Sequence, residues 1–219
     1  NEVATEDLIK LVEIDNKEYL YYKAIAPNIA FIRATTCDSE GYATFEDEVM
    51  YLDALVIAQA VHNNGGIVMM QVQKMVKKAT LHPKSVRIPG YLVDIVVIDP
   101  DQTQLYGGAP VNRFISGDFV LDDSQQTALP LNQRKLVARR ALFEMRKGAV
   151  GNVGVGIADG IGLVAREEGC ADDFILTVET GPIGGITSQG IAFGANVNTR
   201  AILDMTSQFD FYHGGGLDV

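Results

Sequence analysis

Apolar positions recur along this chain with two distinct periods. In "FEDEVMYLDALVIAQAVHNNGG", Val49, Leu52, Val56 and Ala60 stand three or four residues apart, the spacing that gathers side chains on one face of a helix. Gly65 or Gly66 supplies the left-handed residue that stops it. "IVMMQV" (67–72) is a short apolar run suited to a buried strand, and the longer "VMMQVQKM" reads as core strand with one polar face. "YLVDIVVID" (91–99) reads as a further strand, ended by Pro100. From about Asp101 to Pro130 the pattern lapses into Gly, Pro, Asp and Ser, as in a linker or an excursion over the surface. Periodicity resumes in "PLNQRKLVARRALFEMRKG", where Asn132 caps a helix, Leu136, Val137, Leu142 and Met145 form its apolar face, and Gly148 closes it. "AVGNVGVG" (149–156) follows as a glycine-rich strand. "ADGIGLVAREEG" (158–169) is a short helix with Asp159 near its start, and "FILTVE" (174–179) is the next strand.

Helices alternating with strands predict an α/β fold: two open, mainly parallel sheets flanked by helices. One occupies residues 1–100 and the other 131–219, joined by 101–130. Each looks incomplete. The chain opens on Asn-Glu-Val and ends in "YHGGGLDV", a turn leading toward a new strand, so a segment of a longer protein is expected.

Charge and composition narrow the chemistry. A net charge of −10 lacks the basic face that nucleic acid or an anionic membrane requires. No apolar run reaches the roughly 18 residues of a membrane span, and no signal peptide is visible. Two cysteines in 219 residues make the reducing cytoplasm the expected compartment. Cys37 and Cys170 stand far apart, in no metal-binding spacing, and read as packed small apolar groups. No metal site is expected. His62 sits at a helix end and His82 in a surface turn, while His213 borders Gly214–Gly216 and could approach a site. "KMVKK" (74–78) could meet phosphates, but a solvated charge run is the commoner case.

Two features carry candidate chemistry. Gly151, Gly154, Gly156 and Gly160 lie between a strand and a helix, where backbone N–H groups can approach a ligand or oxyanion. Glu179 ends a buried strand and precedes "TGPIGG", a loop with no other charge. The spacing of Gly154, Gly156 and Gly160, with an acid 19 residues later, also fits a dinucleotide site in which Glu179 would hold a ribose hydroxyl. A tight strand-to-helix packing turn accounts for the same glycines.

"VETG" and "NVGVGIADGIG" resemble the motifs of the family I CoA-transferases, most closely the fused-subunit acetate and short-chain acyl-CoA transferases of enteric bacteria. The likeness extends through "FIRATTCDSEGYATFEDEVMYLDALVIAQAVHNNGGIVMMQV", similar to the end of the family's first half, and "FDFYHGGGLDV", similar to the turn after its catalytic strand. The resemblance implies that Glu179 is the catalytic nucleophile and that the N–H of Val155 or Gly156 serves an oxyanion hole. It further implies that Gly154, Gly181, Gly214, Gly215 and Gly216 line substrate or CoA. The opening of the first half and most of the second are missing, and with them a second oxyanion donor. The partners implied are acyl-CoA, short-chain carboxylic acids such as acetate, and the remainder of the same chain, in a homotetramer. Coenzyme A would be substrate and covalent intermediate, with no permanently bound cofactor. A carboxylate needs no base to become a nucleophile at neutral pH, which agrees with the lack of an evident Ser-His or Cys-His pairing.

Overall fold

A computed structural model describes residues 7–105, 108, 110–122 and 125–211. The first unit begins with an antiparallel hairpin, β1 (Ile9–Ile14) and β2 (Lys17–Tyr22). Asp15 and Asn16 both have positive φ at its two-residue turn, a conformation these short polar residues tolerate. Next come β3 (Ile29–Asp38), β4 (Ala43–Thr44), α1 (Ala54–Asn63), β5 (Ile67–Val76) and β6 (Ile95–Ile98). They form a four-stranded sheet of order β4-β3-β5-β6. β3 runs parallel to β5 and β5 to β6, while β4 is an antiparallel edge. The sequence pattern alone yields neither the hairpin nor β3 as an element.

Period-two alternation decides which face of this sheet is core. Ala30, Ile32 and Ala34 of β3 and Val68, Met70 and Val72 of β5 are buried, and Ala58 and Val61 of α1 pack on them. The intervening β5 positions are mixed: Gln71 and Gln73 are polar, as the sequence leads one to expect, but Ile67, Met69 and Met75 share that face. α1 starts later than its apolar spacing predicts. Val49 and Leu52 precede it, with Leu52 at φ +48, and Val56 and Ala60 lie on the exposed face. Both stripes of "ALVIAQAV" are apolar, so periodicity does not choose between them. The turn at Asp53 does, and it directs Ala58 and Val61 inward. The helix ends as predicted: Gly65 has φ +73, and the N–H groups of Gly65 and Gly66 return to the carbonyls of His62 and Val61.

Residues 101–130 do more than cross the surface. Gln102 and Gln104 are buried, their amides donating to the carbonyls of Ala34 and Asp47. Arg113 pairs with Asp47 at 3.1 Å, and Ile115 packs with Val49 of the first unit and Ala195 of the second. Leu121 exchanges two backbone bonds with the Asn198 side chain, each of 2.8 Å.

The second unit contains α2 (Gln133–Leu142), β7 (Val150–Asn152), α3 (Ile161–Glu167) and β8 (Ile175–Thr177). Five short elements follow: β9 (Pro182–Ile183), β10 (Ile186–Thr187), β11 (Asn196–Val197), β12 (Ala201–Ile202) and α4 (Met205–Phe211). β7 and β8 are parallel, in register Asn152 with Thr177. The sheet order β12-β9-β8-β7 then continues through antiparallel ladders, and β10 pairs with β11 apart from it. The architecture is α/β with open sheets flanked by helices, as the sequence predicts. The second sheet differs in having one parallel ladder among three, because the Gly181 turn reverses the chain directly onto β8.

Asn132 caps α2, its side chain accepting from the Lys135 N–H at 3.1 Å. Replacing it with Ala should cost about 1 kcal/mol of stability, with Asp keeping most of it. Denaturant unfolding of the full-length variants measures this, and equal midpoints for Asn132 and Ala would refute it. The face of α2 departs from expectation. Leu136 and Val137 are exposed, whereas Lys135, Ala138 and Leu142 are buried. Lys135 goes inward because its ammonium pairs with Glu167 and donates to the Leu129 carbonyl at 2.8 Å. That ammonium holds the Glu167 carboxyl below the usual carboxylate range.

Candidate functional site

β7 and β8 run side by side in the same direction, so the chain leaves both at one edge of the sheet. From β7 it enters the glycine loop Gly154–Gly156, tied down at its root by the Val153 N–H on the Thr177 carbonyl, 2.9 Å. From β8 it enters the turn that carries Glu179. The carboxylate therefore stands beyond a strand's C-terminal end beside a glycine loop, where open α/β sheets bind ligands.

Glu179 itself is half-buried. Its Oε2 is buried and accepts no hydrogen bond among the described residues. Buried polar atoms are nearly always paired, because an unpaired one forfeits its hydration. Among the described residues, no backbone carbonyl takes the N–H of Val155 or Gly156. Val155 is 71% exposed, and Gly156 has φ +112, a backbone that a side chain would strain.

Gly181 makes the reversal after Glu179 possible. At φ +125 a Cβ there would lie 2.3 Å from the Leu203 carbonyl oxygen, and the Leu203 N–H donates to the Gly181 carbonyl at 3.0 Å. Its role in the structure is backbone packing beside the acid. Gly154 has open space around it, and Gly160 packs its bare Cα toward Leu129 and Ala138. Gly214, Gly215 and Gly216, and His213 with them, lie outside the described residues.

A loop from the other side completes the surroundings. Ser188 to Ala195 folds back on itself, its ends joined by the Ser188 N–H on the Ala195 carbonyl. Gly194 in this loop lies against Thr180, the neighbour of Glu179, and Met50 of the first unit. Gln189, at its other end, donates to Asp159 beneath the glycine loop at 2.9 Å. Next to Gly194, Phe193 and Ala195 face Phe31, Phe45 and Met50 across an open, mostly apolar cleft of about 400 Å³. Gln189, Phe193 and Gly194 carry no motif, so only their placement by the fold reveals them.

The other sequence candidates lie elsewhere. Cys37 is fully buried, and burial pushes its thiol up, as befits a packing group. His62 is in the last turn of α1 against the Tyr91 ring, and His82 is exposed in a turn. Lys74 and Lys78 pair with Glu46 and Glu40 at the surface. Among the described residues no group of His, Cys, Asp and Glu is placed to hold a metal, and no helix is long and apolar enough to cross a membrane.

Residues 2–99 match the model of the family described as Coenzyme A transferase. Over all 219 residues the chain is 95% identical to acetate CoA-transferase YdiF of Escherichia coli K12, and 41% identical to caffeate CoA-transferase of Acetobacterium woodii over 221 aligned residues. It spans 41% and 42% of the lengths of these relatives. A crystal structure of acyl-CoA transferase YdiF from E. coli O157:H7, a thioester complex with CoA, superposes with a TM-score of 0.88 at 90% identity, covering 99% of this chain and 42% of that one. These findings favour the transferase resemblance over the dinucleotide reading of the Gly154, Gly156 and Gly160 spacing: residues 2–99 match the coenzyme A transferase family, and the whole chain aligns with a segment of relatives that carry that name.

Proposed function

We propose that the full-length protein containing this chain transfers coenzyme A from a short-chain acyl-CoA to a free carboxylic acid, with Glu179 as nucleophile. One observation carries the assignment of the residue: Glu179 Oε2 is buried and unpaired at the strand edge it shares with the Val155–Gly156 loop. Such an oxygen has lone pairs uncommitted to the protein and available to a carbonyl carbon. The relatives' names, acetate and caffeate CoA-transferase, support the reaction class, and the thioester complex with CoA supports the type of intermediate. Acetate is the acceptor we assign.

In the first step Glu179 attacks the thioester carbonyl, forming an acyl-glutamyl anhydride and expelling CoA thiolate. The thiolate then attacks the glutamyl carbonyl, which forms a glutamyl-CoA thioester and releases the first acid as its carboxylate. The second carboxylate attacks this thioester and expels the thiolate again. Thiolate attack on the new acyl carbonyl then yields the product acyl-CoA and free Glu179. This is ping-pong covalent catalysis. Each attack puts negative charge on an oxygen, which the N–H of Val155 or Gly156 would stabilise, and losing one such donor typically costs about 10²–10³ in rate. On family resemblance, the remaining chain supplies further CoA contacts, and the enzyme works in the cytoplasm as a homotetramer.

The intact mass of the full-length enzyme tests this. Incubation with acyl-CoA and no acceptor acid should leave CoA attached to the peptide containing Glu179, and borohydride should then reduce the thioester and abolish activity. Turnover through a ternary complex, with no CoA ever attached to Glu179, would reject the reading.

A further inference from the structure

We propose that Arg134, held in place by Asp159 and Gln189, is a positioning residue that sets the orientation of the Val155–Gly156 backbone. This deepens the transferase reading and rests on it.

Arg134 stands in the first turn of α2, 45 residues before Glu179 in sequence. One guanidinium nitrogen, Nη2, donates to the carbonyl oxygen of Gly156 and also to Asp159 Oδ1 at 2.7 Å. Gln189 Nε2 donates to the same Asp159 oxygen at 2.9 Å. Asp159 is 1% exposed. A carboxylate so deeply buried is tolerable only with its charge paired and its lone pairs occupied, and here both partners come from other elements. Four pieces of chain thus meet beneath the loop: α2, the glycine loop, the turn before α3, and the 188–195 loop that also packs on Thr180 beside Glu179.

The loop requires such an anchor. Gly156 has no side chain, sits at φ +112 and has open space where a Cβ would be, so packing does not hold it. Glycine moves between backbone wells at little cost, and an N–H that rotates with it would not stay aimed at a developing oxyanion. The Gly156 carbonyl lies in the peptide plane of the Ile157 N–H, so Arg134 anchors the loop at its far end; the Val153 N–H on the Thr177 carbonyl anchors it at the near end, and between two fixed planes residues 154–156 have a narrowed range of turn. The same bonds could instead serve only to join α2 to the turn. That alternative predicts lost stability with chemistry intact.

The test uses the full-length enzyme and follows formation of the CoA adduct on Glu179 in a single turnover with saturating acyl-CoA. Arg134→Ala should slow adduct formation by about tenfold to a hundredfold, the scale of a misdirected catalytic dipole. The KM for acyl-CoA should change by no more than about threefold, since the loss falls on the transition state. Arg134→Lys should recover much of the rate, because a single ammonium can reach both oxygens. Should Arg134→Ala fail to fold, Arg134→Gln, which keeps much of the packing and a neutral donor, reports instead and should also be slow. A folded Ala or Gln variant that forms the adduct at the parental rate overturns the proposal and leaves the transferase reading standing. Absence of any adduct in the parental enzyme overturns both.

Discussion

Replacing Glu179 with Gln in the full-length enzyme should abolish the covalent adduct and lower kcat by about four orders of magnitude or more, the scale of losing a nucleophile. The substitution is nearly isosteric, so the fold should survive. The Oε2 position is without a hydrogen bond among the described residues, so an amide there breaks no bond that they make to it. What changes is reactivity: the amide is neutral and a poor nucleophile, so no anhydride forms. Quenched-flow turnover together with intact mass checks both parts. A Gln variant that retains a tenth of the activity would show that the carboxylate only orients substrate.

Gly181→Ala should be nearly as damaging by a different route. Its φ of +125 lies where side chains strain the backbone, and the added Cβ would meet the Leu203 carbonyl oxygen at 2.3 Å, so backbone must move. Strain of about 1–2 kcal/mol and weakening of the 3.0 Å bond from the Leu203 N–H, worth about 1 kcal/mol, together predict a loss of about 2–3 kcal/mol. Glu179 is only two residues away, so activity should fall by about a hundredfold in the molecules that remain folded, in line with a displacement of about an ångström. Chemical denaturation and active-site titration separate the two effects. Unchanged stability would mean that the turn relaxes freely.

Signals confined to a few neighbouring residues translate directly into structure. Asn132 caps α2, Gly65 takes positive φ where α1 stops, and the alternating apolar run in β5 has the expected buried face. Glu179 is legible for the same reason: an acid directly after a buried strand and before glycines can only be at an edge. Gly148 does not close α2 as its pattern predicts: the helix stops at Leu142, and the Gly148 N–H turns to the Asp173 carbonyl. Helix faces are not legible in this way. α2 buries Lys135 and exposes Leu136 at 56%, because Glu167 and the Leu129 carbonyl, remote in sequence, make burial of an ammonium tolerable. Nor does polarity identify a loop as surface: Gln102 and Gln104 are buried because backbone carbonyls receive their amides. The Arg134, Asp159 and Gln189 cluster is hidden for a related reason. Each residue is ordinary in its own segment, and only the fold brings them together.

The stretch from 101 to 130 has a mechanical consequence. Its buried glutamines and Arg113 root it in the first unit, while Leu121 exchanges paired bonds with Asn198 in the second. A flexible tether would let each unit melt on its own. Here, freeing either unit forfeits contacts made by the other, and the small cluster of Val49, Ile115 and Ala195 is lost in both cases. Energetic coupling of this kind makes two units unfold as one cooperative block. A destabilising change in the sheet that carries Glu179 is therefore felt in the sheet that does not.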